Sequence, residues 1–262
     1  MTLFDHHVHT DRSDGRLSLA DRALSVAVRP HGVSDHFPWR DSLRNEDDVL
    51  RYVDDAARLG LRVGTEYDLG VAPRLRPTTL DALDYVIGAV HQVHLDGRRI
   101  SFDEAGRYMK GLAGPGPFSE AARFADPELR RRILERTLEL VREGVDHVRI
   151  DILGHPTFSP LAALGAPDEG LPLEWQERLI AICVPAKVAI EVNEAYAVPH
   201  TAFLVRARDR GALFSVGTDS HGEIGPLDRT EGMIREAGLP RDRFLDGSRV
   251  RQAAGRSTAR SS

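Results

Sequence analysis

The residues of this chain that could do chemistry are histidines and carboxylates, and they recur in one setting: the end of a short apolar run. In order, these runs end in Asp5-His6-His7-Val8-His9, Ser34-Asp35-His36, Gly64-Thr65-Glu66, Gly88-Ala89-Val90-His91, Leu153-Gly154-His155, Glu191-Val192-Asn193 and Gly217-Thr218-Asp219-Ser220-His221. Chance histidines would scatter, yet His7, His9, His36, His91, His155 and His221, out of 11 in the chain, sit at such ends. His7 and His9 are two apart on an extended run, so both point to one side. Asp5 shares that side and could orient one of the rings; His6 faces the other way and is read as structural. Asp14 lies in a polar turn five residues past His9 and could swing back. Glu66 is a strand-end carboxylate, costly to bury unless paired or bound to metal, and its two oxygens could bridge two cations. His94 is expected to lie beyond its strand. A His/carboxylate set with no cysteine ligand suits zinc, manganese or iron(II). Nine such residues exceed the needs of one ion, so two or three are expected.

Side chains delivered by successive strands must meet at one sheet edge. The strand candidates are Thr2–Val8, Gly32–Ser34, Leu61–Glu66, Tyr85–Val90, Val148–Leu153, Val188–Asn193 and Leu213–Gly217, short and β-branched as buried parallel strands are. Helical spacing falls between them at Leu17–Val28, Asp47–Leu59, Pro127–Gly144, Leu173–Cys183, Thr201–Arg208 and Arg229–Ala237. This alternation predicts βαβ units and an α/β fold, a distorted (β/α)7 TIM-like barrel. An open doubly wound sheet is the alternative, but it would concentrate site residues at its switch point rather than after every strand. The spacing predicts one barrel domain over 1–246. A long connection over 92–124, holding Gly111, Gly114, Pro115, Gly116 and Pro117, is expected to be a lid or substrate loop. A tail over 247–262, rich in Arg, Ser, Ala and Gly, is expected to be flexible.

At 262 residues the chain fits one barrel. Its net charge of -5 argues against a surface for long nucleic acid. The single cysteine, Cys183, excludes an internal disulfide and a Cys-based zinc site. No run is long enough to span a membrane and no secretory leader is apparent, so a cytoplasmic setting is expected. The basic residues are almost all arginine; Lys110 and Lys187 are the two lysines.

Taken together, Asp5-x-His7-x-His9-Thr10, Ser13-Asp14-Gly15, Ser34-Asp35-His36, Gly64-Thr65-Glu66, Gly88-Ala89-Val90-His91, Leu153-Gly154-His155-Pro156 and Gly217-Thr218-Asp219-Ser220-His221 resemble the PHP family, named for polymerase and histidinol phosphatase. The resemblance spans nearly all of residues 1–225 and implies a PHP-type distorted seven-stranded β/α barrel. It implies a trinuclear site: His7, His9, Glu66 and Asp219 around one ion, with Glu66 bridging to a second completed by His91 and His155. Asp14, His36 and His221 would hold the third; some relatives carry a histidine where this chain has Gly15. The implied reaction is phosphoester hydrolysis, most simply of a small-molecule phosphomonoester in histidinol-phosphatase fashion. Water bridging two ions becomes hydroxide near neutral pH and attacks phosphorus in line. The ions neutralise the developing charge, with Glu66 and Asp219 as catalytic ligands and Asp35 as a candidate proton donor to the leaving group.

Histidinol phosphatases of the family place arginines after the fifth and sixth strands. Here His155-Pro156-Thr157-Phe158-Ser159 and the 193–200 segment hold none, so substrate-binding candidates by position are Arg12, Arg40, Arg107 and Asn193. Three rival readings stay open: a phosphodiesterase or nuclease on short nucleotides, a non-catalytic metal-binding PHP module, and an amidohydrolase-type C–N hydrolase. The last usually bridges its ions with a strand-end lysine, a position that neither Lys110 nor Lys187 occupies.

Overall fold

The computed structural model describes residues 3–166 and 170–247. Six parallel strands form one sheet: β1 (Gly32–Phe37), β2 (Arg62–Asp68), β3 (Tyr85–Ala89), β6 (Ile152–Leu153), β7 (Ala189–Asn193) and β8 (Phe214–Gly217), side by side in that order. The main crossover helices are α1 (Leu19–Ser25), α2 (Glu46–Arg58), α3 (Pro77–Ala82), α5 (Pro127–Glu143), α6 (Leu173–Ala186), α7 (Thr201–Asp209) and α8 (Asp228–Ala237). Local chemistry sets their ends. Ser18 and Asp21 form a reciprocal capping box at α1, and Asp126 caps α5 ahead of Pro127. One stripe of α5, from Ile133 to Val141, is buried in the large core.

The expected first strand, Thr2–Val8, takes a different form. Among the described residues it makes isolated bridges, Asp5 to both His31 and Val216 and Val8 to Ser220. His6 N–H donates to Val216 O at 2.9 Å on the β8 side, while Gly32 and Ser34 of β1 donate to Asp5 O and Val8 O. The segment is therefore wedged between both edges of the curled sheet, and the sheet is a half-barrel with this segment across its opening. Alternating between two neighbours leaves it no continuous ladder with either.

Strand alternation explains the interior. Tyr85, Ile87, Ile152 and Ala189 form a small inner core. The Tyr85 ring lies where a Cβ on Gly32 or Gly64 would come within 2.4 Å of it, and its hydroxyl donates to His6 O at 2.7 Å. These two glycines are the space the tyrosine fills. The opposite faces carry Val33, Val63 and Val86 into the large core beneath the helices.

The 92–124 connection is not a structureless loop. It holds a two-stranded hairpin, β4 (Gln92–Leu95) with β5 (Arg98–Ser101), then α4 (Asp103–Met109), and a single helical turn at Arg123–Ala125. The hairpin pairs with no strand of the main sheet. The expected strand at Val148–Leu153 shrinks to Ile152–Leu153, because the α5 helix continues through a wider turn over Gly144–Val148. Beyond Gly247, the expected tail lies outside the described residues. Among the described residues no helix is long and apolar enough to cross a membrane.

Candidate metal centre

The inner-face ends of the parallel strands bring the expected ligands together. Glu66, on β2 and 1 % exposed, is the hub. Its two oxygens divide the imidazoles between them. Oε2 lies 3.3 Å from His7 Nε2, 3.5 Å from His9 Nε2 and 2.8 Å from His36 Nδ1. Oε1 lies 3.1 Å from His91 Nε2 and 2.9 Å from His155 Nε2. Asp219 Oδ1 sits 3.5 Å from both His9 Nε2 and His221 Nδ1. Asp14 completes a third corner, 3.6 Å from His9 and His36 and 3.1 Å from His221.

Three overlapping sets of ligand atoms fall within 4.8 Å of one another: His7, His9 and Glu66; His36, Glu66 and His91; and His9, Asp14, His36 and His221. The partition differs from the expected one in giving His36 a second partner, Glu66, and in drawing His9 toward Asp14.

Among the described residues, buried His7 Nε2, His9 Nε2 and Glu66 Oε2 each lack a hydrogen-bond partner in bonding geometry. An orphan of this kind costs about 1–3 kcal/mol. Cations at the centre would satisfy all three at once, so the donor set fits divalent metal ions. The electrostatics agree. Burial alone would raise the Glu66 carboxyl, but His36, His7 and His91 hold it well below its usual value. Burial would likewise lower His91, yet Glu66 and Asp68 push it up to about 9. His155 and Asp219 both adopt left-handed backbone, φ 27° and 53°. For residues other than glycine such conformations cost about 1–3 kcal/mol and cluster at functional sites.

Glu191, left without a role by the sequence, braces the ligands from behind. Its Oε1 accepts from His7 Nδ1 at 2.7 Å, and its Oε2 accepts from the His155 backbone N–H at 2.6 Å and from Asn193 Nδ2 at 3.0 Å. It fixes the His7 ring so that Nε2 faces the centre, as outer carboxylates do at metal sites. Gly217 makes this possible: a Cβ there would come within 2.0 Å of Glu191 Oε1.

The geometry departs from expectation at five residues. Asp5 orients no ring; it is fully buried and accepts from the backbone N–H groups of His7 and Thr218 and from the Thr218 hydroxyl. Asp35 does not reach the centre. Because β1 runs on to Phe37, Asp35 and His36 alternate to opposite faces, and Asp35 accepts from Thr10 N–H, Thr10 Oγ1 and Ser13 Oγ instead. It shapes the turn that carries Asp14. Among the substrate candidates, Arg12 pairs with Asp55 at 2.8 Å, Arg40 is 86 % exposed beside Asp41, and Asn193 is buried between Glu191 and the Tyr196 N–H. None of the three lines the cavity over the centre. His6, as expected, is structural: its buried ring meets Phe4 and Tyr85 edge-on, and burial pushes it down to about 4. His94 is exposed on β4.

The centre floors a cavity of about 490 Å³. One wall is aromatic, with Trp39, Phe158 and Tyr196; another comes from the insertion, with Arg99, Arg107 and Lys110. Of these cations the sequence had pointed to Arg107 alone. Lys110 Nζ lies 3.9 Å from Asp219 Oδ2 and 4.2 Å above the Tyr196 ring. No regular spacing could have revealed this, since the lysine arrives from a connection rather than a strand end.

No family model matches the chain, and no curated protein does either. Among solved structures, the histidinol phosphate phosphatase HISK from Lactococcus lactis, complexed with zinc, L-histidinol and phosphate, matches over 93 % of this chain and 95 % of its own, with 15 % identity and a TM-score of 0.57. An HpcH/HpaI aldolase from Desulfitobacterium hafniense matches at a TM-score of 0.38 with 14 % identity, too low to bear on the fold. The first likeness establishes a shared fold.

Proposed function

We propose that the chain is a metal-dependent phosphoesterase acting on a small-molecule phosphomonoester, and that its fold is a PHP-type distorted barrel over residues 1–246, with the wedged 5–9 segment as seventh stave. The observation that carries the reading is the division of five imidazoles between the two oxygens of one buried carboxylate, Glu66. His7, His9, Glu66 and Asp219 would hold one ion, and Glu66, His91 and His155 a second. Asp14, His36 and His221 would hold a third; zinc, manganese and iron(II) all suit the donors. Bound there, such ions supply an acidified water and neutralise charge on phosphate oxygens.

The protein's own groups do the rest. Glu191 keeps the His7 ring in one orientation. Phe158 and Tyr196 pack on His155, at 5.0 and 5.5 Å between ring centres, and exclude water from that flank. The cavity volume suits a metabolite, which favours a small ester over long nucleic acid. That the structurally similar HISK was crystallised with zinc, L-histidinol and phosphate makes histidinol phosphate the first ester to try. Lys110 meets Asp219 from a connection and does not bridge the ligand sets, which leaves the C–N hydrolase reading without its usual bridging group.

The test is hydrolysis by zinc-, manganese- and iron(II)-loaded protein of a generic monoester, a generic diester and histidinol phosphate. Monoester turnover abolished by chelator is the expected result. Diester turnover alone would move the reading to a phosphodiesterase. No turnover despite bound metal would leave a metal-binding module in its place.

A further inference from the structure

The β6 and β7 loops, after Leu153 and Asn193, contribute no arginine to the cavity. At those positions they present Phe158 and Tyr196, whose rings pack together at 4.6 Å. The charge such loops lack comes from the insertion. Its helix α4 is seated on that aromatic pair through Gly106, where a Cβ would come within 2.9 Å of the Phe158 ring and 3.4 Å of Tyr196. Phe102, at the start of the helix, is fully buried and meets Phe158 edge-on at 6.0 Å. The insertion is therefore docked against the centre.

Docking at Gly106 places the next turn of chain over the cavity. Arg107 is next in sequence and Lys110 lies one turn on; both line the cavity. Lys110 is held between a ligand carboxylate and the face of Tyr196, a placement that suits an ammonium. At 3.9 Å the ammonium meets Asp219 as a charge and not through a hydrogen bond, and Asp219 is shared with His9 and His221. Arg107 is exposed and makes no ion pair among the described residues. Arg99 is tied to Gln92 and lies near Asp103.

We propose that Lys110 and Arg107 form the phosphate clamp of this protein: Lys110 donates to a non-bridging oxygen of the ester phosphate at the centre, and Arg107 closes over the same group. This rests on the phosphoesterase reading for its substrate but not for its test. The clamp takes a dianionic phosphate group, and the aromatic wall, with Trp39 stacked on His36 at 5.6 Å, takes the organic part.

Two readouts separate the clamp from the reaction. The first is binding of inorganic phosphate to the zinc-loaded protein by calorimetry; the second is steady-state hydrolysis of the best monoester. Lys110→Met and Arg107→Met should each weaken phosphate binding about 10- to 100-fold and raise KM more than they lower kcat. Zinc content should be unchanged, and Lys110→Arg should recover part of the affinity. Gly106→Val, which forces α4 off the aromatic pair, should weaken phosphate binding with both cations still present. Unchanged phosphate affinity in Lys110→Met at full zinc content would overturn the clamp even if hydrolysis is robust. Loss of zinc in that variant would do so too, by making Lys110 a structural support of Asp219. Phosphate binding that falls as expected in a protein that hydrolyses no ester would uphold the clamp and sink the phosphoesterase reading. A wild-type protein that neither binds phosphate nor hydrolyses esters would overturn both.

Discussion

Glu66 holds its position because every alternative is worse. A carboxylate 1 % exposed survives only with counter-charges on both oxygens, and the imidazoles around it survive only with an acceptor or an ion between them. Glu66→Ala and His9→Ala should each reduce phosphoester turnover by about 10³-fold or more, as removal of members of one catalytic unit does. The fold should persist, with near-native circular dichroism and with zinc stoichiometry reduced by at least one ion. Full turnover in either variant would refute the ligand assignment. At this scale the gathering of the nine residues was readable from the sequence: each of the six imidazoles lies within 3.5 Å of Glu66, Asp14 or Asp219, and two-residue spacing puts His7 with His9 on one side of its segment. The second partners were not. Glu191 was visible as a strand-end acid, but only the fold shows that it faces His7. Asp35 misled because β1 is three residues longer than its apolar pattern suggested, and one further step of a strand turns a side chain to the other face.

The strands act as staves whose small residues matter as much as their ligands. Gly217 on β8 lets the Glu191 carboxylate pass, and a methyl group there would collide with it at 2.0 Å. Gly217→Ala should therefore push Glu191 off the His7 ring and cost about 10- to 100-fold in zinc affinity or turnover, the usual penalty for disturbing a partner behind a ligand. Competition with a fluorescent zinc chelator measures it; unchanged affinity would mean that the carboxylate has another resting place. Helices with strong apolar stripes, such as α5, were legible to within a residue or two. The insertion was not, because Gly111 to Pro117 dominates the segment and masks a four-residue hairpin strand, Gln92–Leu95, and a seven-residue helix. Lys110 went unassigned for the same reason.

For the whole molecule, the centre links distant parts of the chain: His7 to His221 by sequence, and both edges of the sheet through the wedged 5–9 segment. Metal bound there would add folding energy, and the titrating groups around Glu66 would set its pH dependence. In the metal-free protein His91 is raised to about 9 from a usual 6.5 by Glu66 and Asp68, and His36 and His7 are raised well above it, His36 by Glu66 and Asp14 and His7 by Glu191 and Glu66. Their folded values exceed the unfolded ones. The stabilisation they give is complete below pH ~6.5 and is lost as pH climbs through about 9. Zinc binding, which needs neutral imidazoles, strengthens over the same interval. Thermal unfolding with chelator should show Tm falling from pH 6.5 to 9, while the increment added by zinc grows. A chelated protein whose Tm rises across that interval would show that these pairs do not govern its stability.

The strands of the insertion pair only with each other, and it is fastened to the barrel by buried Val93, Ile100, Phe102 and Phe124, by Gly106 against Phe158 and Tyr196, and by Asp96 paired with Arg132 of α5. The candidate metal ligands come from the strand ends and the turns beside them, and the two proposed phosphate cations, Arg107 and Lys110, from the insertion, so a change at 107 or 110 leaves every candidate ligand in the chain. Substitution at those two positions could alter which ester is gripped while the donor set beneath stays the same, whereas loss of a shared donor such as Glu66 would affect every ester alike.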